Sequence, residues 1–149
     1  MGWTAADIPS QEGRIALVTG ANIGLGFETV RALAARGATV LMACRTRSKA
    51  EKARSALLEE GLTGLDLIDL DLADLDDVVS AAETVERRYG QLDLLINNAG
   101  VMAPPRRTTA QGHELQFGVN HLGHMALTQA LLPLMQNRPD PRVVTVSSG

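Results

Sequence analysis

The 149-residue sequence is poor in cysteine, in aromatic residues and in long apolar runs. Its single cysteine, Cys44, cannot form an internal disulfide and is typical of a reducing compartment, so we expect a cytoplasmic protein. No apolar run reaches the roughly 18 residues of a membrane-spanning helix, so no membrane span is expected. The formal net charge of −3, with acids and bases interspersed, gives no indication of a nucleic-acid-binding surface.

Histidines are also few. The three histidines, His113, His121 and His124, have no cluster of acids or cysteines at metal-ligand spacing. His121 and His124 are three residues apart and should share a helix face, but a metal site needs more ligands. We therefore expect no metal site, and we interpret these histidines as structural or solvent-facing.

Short apolar runs alternate with longer segments of helical periodicity. The runs are continuous, as in strands that are buried on both faces. They predict strands at residues 15–19, 39–44, 65–70, 92–96 and 143–146. The intervening segments predict helices at residues 24–36, 48–61, 74–90 and 109–136. This alternation is typical of one α/β domain with a parallel sheet, preceded by an N-terminal extension at residues 1–13.

Residues with known roles at helix ends support three of these helices. Gly37 should close the first helix. Ser48 and Glu51 have the spacing of a capping box at the start of the second. Asp74 and Gly90 should begin and end the third.

Three glycines, Gly20, Gly24 and Gly26, fall where the first strand should pass into the first helix. Gly20 permits a tight turn, Gly24 lets backbone N–H groups approach a phosphate, and Gly26 lets the helix pack close to the strand. The helix N-terminus would then face the phosphate with its dipole. The pattern predicts a dinucleotide phosphate site, and a glycine-rich turn without a ligand is the alternative.

An Asn-Asn-Ala-Gly run at residues 97–100 follows the fourth predicted strand. It lies at the carboxyl edge of the sheet, where open α/β sheets bind their ligands. About eighty residues separate it from the glycine loop. The two motifs together favour a dinucleotide site over a loop with a turn-forming asparagine.

With these motifs the chain resembles the short-chain dehydrogenase/reductase family. The resemblance covers nearly the whole chain from Arg14 onward, and residues 43–45 and 117–128 resemble the retinol-dehydrogenase-like branch. It implies a Rossmann-like, doubly wound parallel sheet of strand order 3-2-1-4-5, truncated after strand five. It also implies an oxidoreductase that transfers hydride between a nicotinamide cofactor and a small alcohol, aldehyde or ketone.

The resemblance also implies roles for individual residues. Asp71 would bind the adenine amino group and Leu72 would lie beside the ring. Asn120 would hold a water in a proton relay, and Ser148 would orient the substrate. The other residues implied at the cofactor are Gly20, Asn22, Ile23, Gly24, Leu25, Gly26, Asn98, Ala99 and Gly100. The alternatives are a helix cap for Asp71, a solvent-facing residue for Asn120 and a turn residue for Ser148.

The end of the second strand bears on which dinucleotide is bound. In NAD-binding proteins a carboxylate at this position commonly forms a hydrogen bond with the 2′-hydroxyl of the ribose. This chain has Arg45 and Arg47 instead, and an arginine can hold a 2′-phosphate through two hydrogen bonds. The sequence therefore favours NADP(H) over NAD(H). The alternative is that both arginines are ordinary solvated residues before a helix.

The family's Tyr-x-x-x-Lys motif is missing from the sequence. The only tyrosine, Tyr89, has Asp93 four residues later, and the only lysines, Lys49 and Lys52, lie near strand two. We therefore expect the 149-residue chain to be part of a longer oxidoreductase and inactive alone. A non-catalytic dinucleotide-binding module is the rival interpretation, and the Asn-Asn-Ala-Gly run argues against a methyltransferase. A homo-oligomer stays open.

Overall fold

A five-stranded parallel sheet forms the centre of the protein, for which a computed structural model describes residues 2–148. The strands follow the spatial order β3-β2-β1-β4-β5, which confirms the predicted doubly wound topology. Their bounds are β1 Ile15–Thr19, β2 Thr39–Cys44, β3 Leu65–Asp69, β4 Leu94–Asn97 and β5 Arg142–Thr145.

Helices cover both faces of this sheet. They are α1 Gly24–Ala35, α2 Arg47–Glu59, α3 Leu75–Tyr89, α4 Leu115–Phe117 and α5 His124–Met135. A π-helical segment, Gly118–Gly123, joins α4 to α5, and a 3-10 turn lies at Ala5–Asp7. No helix of residues 2–148 has the length and apolar character needed to cross a bilayer.

Alternation along the strands divides the core between the two faces. Leu17 packs with buried residues of α3 and α5, whereas its neighbour Val18 packs with those of α1 and α2. Successive side chains of a strand point to opposite faces, so an uninterrupted apolar run fills both cores. The continuous apolar runs of the sequence therefore correspond to strands buried on two sides.

The ends of two helices form as the sequence predicts. Gly37 follows α1 with a φ of +95°, and Gly90 ends α3 with a φ of +69°, both in the left-handed region that favours glycine. The side chain of Asp74 accepts a hydrogen bond from the Asp76 backbone N–H at the start of α3.

The predicted capping box at Ser48 is wrong. The N-cap of α2 is Thr46, and its side chain makes no capping hydrogen bond. The Ala50 backbone N–H donates to the Thr46 carbonyl at 3.0 Å. This bond places Ser48 inside the first helical turn, where its backbone is already helical and cannot serve as a cap.

The fourth predicted helix begins six residues later than residue 109. Thr109 and His113 bond each other through their backbones, with the Thr109 N–H donating at 2.7 Å, and Gly112 turns the chain with a φ of +86°. Glu114 then caps the helix by accepting from the backbone N–H groups of Gln116 and Phe117. The threonine therefore starts a turn rather than a helix.

Two glycines allow the π-helical segment to approach its neighbours. A Cβ on Gly118 would lie 2.2 Å from the Thr109 Cγ2, and one on Gly123 would lie 2.5 Å from the Leu72 carbonyl oxygen. The chain stays helical through both glycines, and the adjoining loops occupy the space where their side chains would be.

Candidate cofactor site

An open cleft with a volume of about 160 Å³ lies at the carboxyl ends of the first four strands. Open α/β sheets bind ligands at this edge, near the point where the strand order reverses between β1 and β4. Seven of the residues predicted at the cofactor line the cleft: Gly20, Asn22, Arg45, Asp71, Leu72, Ala99 and Gly100. The cleft therefore brings together residues from four separate stretches of the sequence.

The glycine turn has the close contacts that its sequence predicts. Gly20 has a φ of +61°, and a Cβ added to it would lie 2.9 Å from the Ala99 Cα. A Cβ on Gly26 would lie 2.2 Å from the Gly20 carbonyl oxygen and 2.5 Å from the Asn98 Nδ2. These distances confirm that Gly20 makes a tight turn and that Gly26 lets α1 pack against it.

The next residues of the loop, at the start of α1, are open to solvent. Gly24 also has a φ of +61°, and a Cβ added to it would meet nothing within 4 Å. The side chains of Ile23 and Leu25 are 74% and 71% exposed. The space in front of the N-terminus of α1 is therefore free for a ligand that contacts backbone N–H groups.

The Asn-Asn-Ala-Gly loop is attached to the end of β1 by Thr19. The Thr19 Oγ1 accepts hydrogen bonds from the backbone N–H groups of Asn98 and Ala99, both at 2.9 Å. The Asn98 Nδ2 donates to the Thr19 carbonyl at 3.0 Å. The sequence motifs alone assign Thr19 no role. The sequence does contain one sign of this role, a hydroxyl at the end of a buried apolar strand, because a buried polar group needs a hydrogen-bond partner.

His124 is buried beside this threonine. Its Nε2 lies 2.9 Å from the Thr19 Oγ1, and its Nδ1 lies 3.1 Å from the Asn120 carbonyl oxygen. Burial lowers the pKa of the imidazole, and the Asn120 carbonyl partly opposes that shift.

His121 is exposed and stacks on Phe117, so the expectation that the two histidines share a helix face is wrong. The π-helical segment changes the angular spacing between them.

The side chain of Asn120 holds Val101, which follows the Asn-Asn-Ala-Gly loop. Its Oδ1 accepts from the Val101 N–H at 2.9 Å, and its Nδ2 donates to the Val101 carbonyl at 2.8 Å. Both polar groups of the side chain are thus used by one backbone unit. Its predicted role in holding a water stays a prediction.

Asp71 begins the loop after β3. Its Oδ1 accepts from the Ala73 N–H at 2.9 Å, and its backbone N–H donates to Asp77. The alternative of a helix cap is wrong, because the N-cap of α3 is Asp74. No hydrogen bond within residues 2–148 uses the Asp71 Oδ2, so this oxygen can accept a bond from an amino group. Leu72 forms part of the apolar wall beside it.

The two arginines after β2 differ in their surroundings. Arg47 forms ion pairs with Glu51 at 3.2 Å and with Asp69 at 3.3 Å. Arg45 lines the cleft and, across the described residues, makes neither an ion pair nor a side-chain hydrogen bond. The sequence did not reveal this difference, because Asp69 comes from the neighbouring strand, where it pairs in register with Cys44.

Two further residues lie away from the cleft. Ser148 follows β5 at the carboxyl edge of the sheet, is exposed and does not line the cleft, so its role stays a prediction. Tyr89 lies at the opposite edge, where its hydroxyl donates to Asp66 at 2.6 Å. Burial, with the hydrogen bond to Asp66, raises the pKa of Tyr89 to about 12. Residues 2–148 contain no group of three or more His, Cys, Asp or Glu side chains able to hold a metal ion.

Comparisons with known proteins agree with this architecture. The family model for short chain dehydrogenases matches residues 14–149. A short-chain dehydrogenase/reductase of Armillaria gallica is 46% identical, over 99% of this chain and 49% of its own length. Human retinol dehydrogenase 12 is 45% identical, over 91% of this chain and 43% of its own length.

Two solved structures show the same fold. An uncharacterised protein from Mycobacterium paratuberculosis has a TM-score of 0.82 and 47% identity, over 91% of this chain and 47% of its own. Pseudomonas aeruginosa RhlG, in a complex with NADP, has a TM-score of 0.79 and 28% identity, over 93% of this chain and 56% of its own. The chain spans about half the length of the curated relatives it matches. With its glycine turn, its Asn-Asn-Ala-Gly loop and its sheet order, the chain belongs to the short-chain dehydrogenase/reductase family and resembles the retinol dehydrogenases within it.

Proposed function

We propose that this chain supplies the cofactor-binding residues of an NADP(H)-dependent oxidoreductase that interconverts a small alcohol with its aldehyde or ketone. Bound nicotinamide supplies the acceptor or donor of hydride. The chain's own residues bind and orient the dinucleotide. The backbone N–H groups of the glycine turn and the N-terminus of α1 would face its phosphates.

The adenosine end would lie along the wall formed by Asp71 and Leu72. The free Asp71 Oδ2 accepts a hydrogen bond from an exocyclic amino group, and the apolar side of the cleft accommodates a flat ring. Thr19 and Asn98 fix the loop at the other side of the cleft, so the width between the two walls is set before a ligand binds.

The observation that carries the preference for NADP(H) is the unpaired guanidinium of Arg45 at the cleft. A bidentate contact with a 2′-phosphate adds charge as well as two hydrogen bonds. Arg47 is already neutralised by Glu51 and Asp69. This pairing also offsets the charge of Asp69, which lies in register with Cys44 at the end of β2 and would otherwise repel a phosphate. The NADP complex of RhlG, a solved structure with the same fold, supports this proposal.

Isothermal titration of the protein with NADPH and with NADH tests the proposal. We expect tighter binding of NADPH. Arg45→Ala should weaken NADPH binding by about ten- to a hundredfold, since a charged bidentate contact is worth roughly 1.5–3 kcal/mol. The affinity for NADH should stay unchanged, because NADH has no 2′-phosphate.

Arg47→Ala is the matched control. It removes the same charge two positions along the chain, from a side chain that is already paired within the protein. It should change the NADPH affinity by less than about threefold at 0.15 M salt, where exposed charges are largely screened. Equal affinity of the wild type for both dinucleotides would contradict the proposal. The cytoplasmic location and the homo-oligomer stay predictions.

A further inference from the structure

The imidazole of His124 connects three segments that border the cleft. It touches Thr19 at the end of β1 and the Asn120 carbonyl in the π-helical segment. Through the Thr19 hydroxyl it also reaches the backbone of Asn98 and Ala99. Thr19 and Ala99 line the cleft themselves. A change in the hydrogen bonds of this ring would therefore affect the wall of the cleft through one intervening side chain, that of Thr19.

The partners of the ring determine its tautomer. The Asn120 carbonyl can only accept, so the Nδ1 that lies 3.1 Å away must carry the proton. In a neutral ring the Nε2 is then an acceptor. The Thr19 hydroxyl must therefore donate to the Nε2, at 2.9 Å.

The hydroxyl of Thr19 is then fully used. It donates once, to His124, and its two lone pairs accept the N–H groups of Asn98 and Ala99. We infer that His124 is a positioning residue of the cofactor cleft, whose neutral Nδ1–H form holds the Asn98-Ala99 loop against β1 through Thr19. This inference rests on the proposed dinucleotide-binding function of the cleft.

Protonation of the ring is incompatible with this arrangement. A second ring N–H would point at an oxygen that has no lone pair left, and the hydroxyl proton would have only the Ile96 carbonyl, 3.5 Å away, as an acceptor. The groups that touch the ring, from β1 and from the π-helical segment, are neutral. Within residues 2–148 no Asp, Glu, Lys or Arg side chain contributes to the pKa of His124, which burial lowers.

The direction of the pH effect follows from that shift. Because the pKa is lower in the folded protein than the ordinary value of about 6.5, the network is fully present above that value. It is lost as the pH falls below about 6.5 through the folded pKa. Acid should therefore open the loop and weaken dinucleotide binding.

The first test is a nitrogen-15 NMR measurement of the His124 ring in the cofactor-free protein at pH 7.5. We expect the signature of the Nδ1–H tautomer, with Nε2 unprotonated and accepting a hydrogen bond. A ring that is protonated at Nε2 would overturn the inference, whatever the cofactor does.

The second test compares the NADH dissociation constant of the wild type and of His124→Gln at pH 7.5 and pH 5.5. NADH is the probe because it lacks the 2′-phosphate, which would titrate in this range. Glutamine carries one donor and one acceptor but does not titrate. We expect NADH binding by the wild type to be weaker at pH 5.5 than at pH 7.5, by at most about fivefold when the ring is fully protonated, the equivalent of one lost hydrogen bond of roughly 1 kcal/mol. The variant should stay within about twofold.

His124→Leu removes both hydrogen bonds and should bind NADH more weakly at both pH values. The exposed His113 and His121 remain in every variant, so the difference between proteins isolates His124. The same pH dependence in the wild type and in His124→Gln would overturn the inference while leaving the proposed function intact. Failure of the wild type to bind either dinucleotide at pH 7.5 would instead refute the proposed function. If the glutamine variant does not fold, the tautomer measurement decides.

Discussion

Replacement of Gly26 by alanine should destabilise the protein, although the same change in most helices does the opposite. Gly26 lies within α1, where alanine is normally favoured by about 0.5–1 kcal/mol. Here the added methyl would lie 2.2 Å from the Gly20 carbonyl oxygen. Ordinary contact between carbon and oxygen is more than 3 Å, so helix and turn must separate by about 1 Å.

The size of the loss follows from the rigidity of both partners. The obstructing atom belongs to the backbone of a tight turn, and Asn98 Nδ2 lies only 2.5 Å from the same methyl position. Overpacking against groups that cannot move costs about 1–3 kcal/mol, and a 2.2 Å approach to backbone belongs at the upper end, about 2–3 kcal/mol. After subtraction of the helical gain of about 0.5–1 kcal/mol, the net loss is about 1–2.5 kcal/mol. At roughly 2–4 °C per kcal/mol for a chain of this size, the melting temperature should fall by about 2–10 °C.

Equilibrium unfolding in urea measures this loss, and NADPH titration of the folded variant measures the effect on the turn. Gly24→Ala is the informative control, because its methyl would meet nothing within 4 Å and only its left-handed φ of +61° opposes the change. That change should cost about 1–2 kcal/mol without moving α1. A Gly26→Ala protein that is as stable as the wild type would refute the argument that this glycine sets the helix-to-turn distance.

Three other changes test separate parts of the molecule. Asp93→Ala should lower the free energy of unfolding by about 1–3 kcal/mol in urea titration, because it leaves the buried Ile15 N–H and the half-buried Arg138 without their acceptor. An unchanged free energy of unfolding would contradict this. Cys44 should react with iodoacetamide at pH 8 only on unfolding, as mass spectrometry can show, since burial raises its pKa to about 11; rapid labelling of the native protein would exclude this. The edge strand β5, with Val144 44% exposed, should cause concentration-dependent association in sedimentation experiments, and Val144→Lys should reduce it; a wild type that stays monomeric at all concentrations would oppose this.

The sheet and its order could be predicted because the evidence for them is local. Each strand is a short apolar run, and each connection between strands contains helical structure, so few topologies remain. The first residues of the helices were harder to predict, because a serine or threonine in the right place is only a candidate cap. Ser48 loses that role to the chain geometry after β2, and the helix predicted to begin at Thr109 begins later because of a turn that Gly112 makes available.

The cleft could be predicted in outline, since the glycine turn and the Asn-Asn-Ala-Gly loop both fall at the ends of strands. The hydrogen bonds that join the turn to the loop could not be predicted. Thr19 and His124 are 105 positions apart and belong to no shared motif, so only the folded chain shows that they are bonded. The difference between Arg45 and Arg47 was hidden for a similar reason, because Asp69 belongs to the neighbouring strand.

The two ends of the sheet differ in how completely their polar groups are satisfied. At the amino end, Asp93 binds Arg138 and the Ile15 N–H, so its charge and both its oxygens are used within the fold. At the carboxyl end, the backbone is fixed by Thr19, but the Arg45 guanidinium and one Asp71 oxygen are left for a ligand. Removing Asp93 leaves the buried Ile15 N–H and the half-buried Arg138 guanidinium without their acceptor and costs stability, whereas removing an unpaired group at the cleft costs only affinity. Substitutions at Asp93 and Arg45 should therefore separate the two effects: the first should lower the unfolding free energy, and the second should leave it unchanged while weakening NADPH binding.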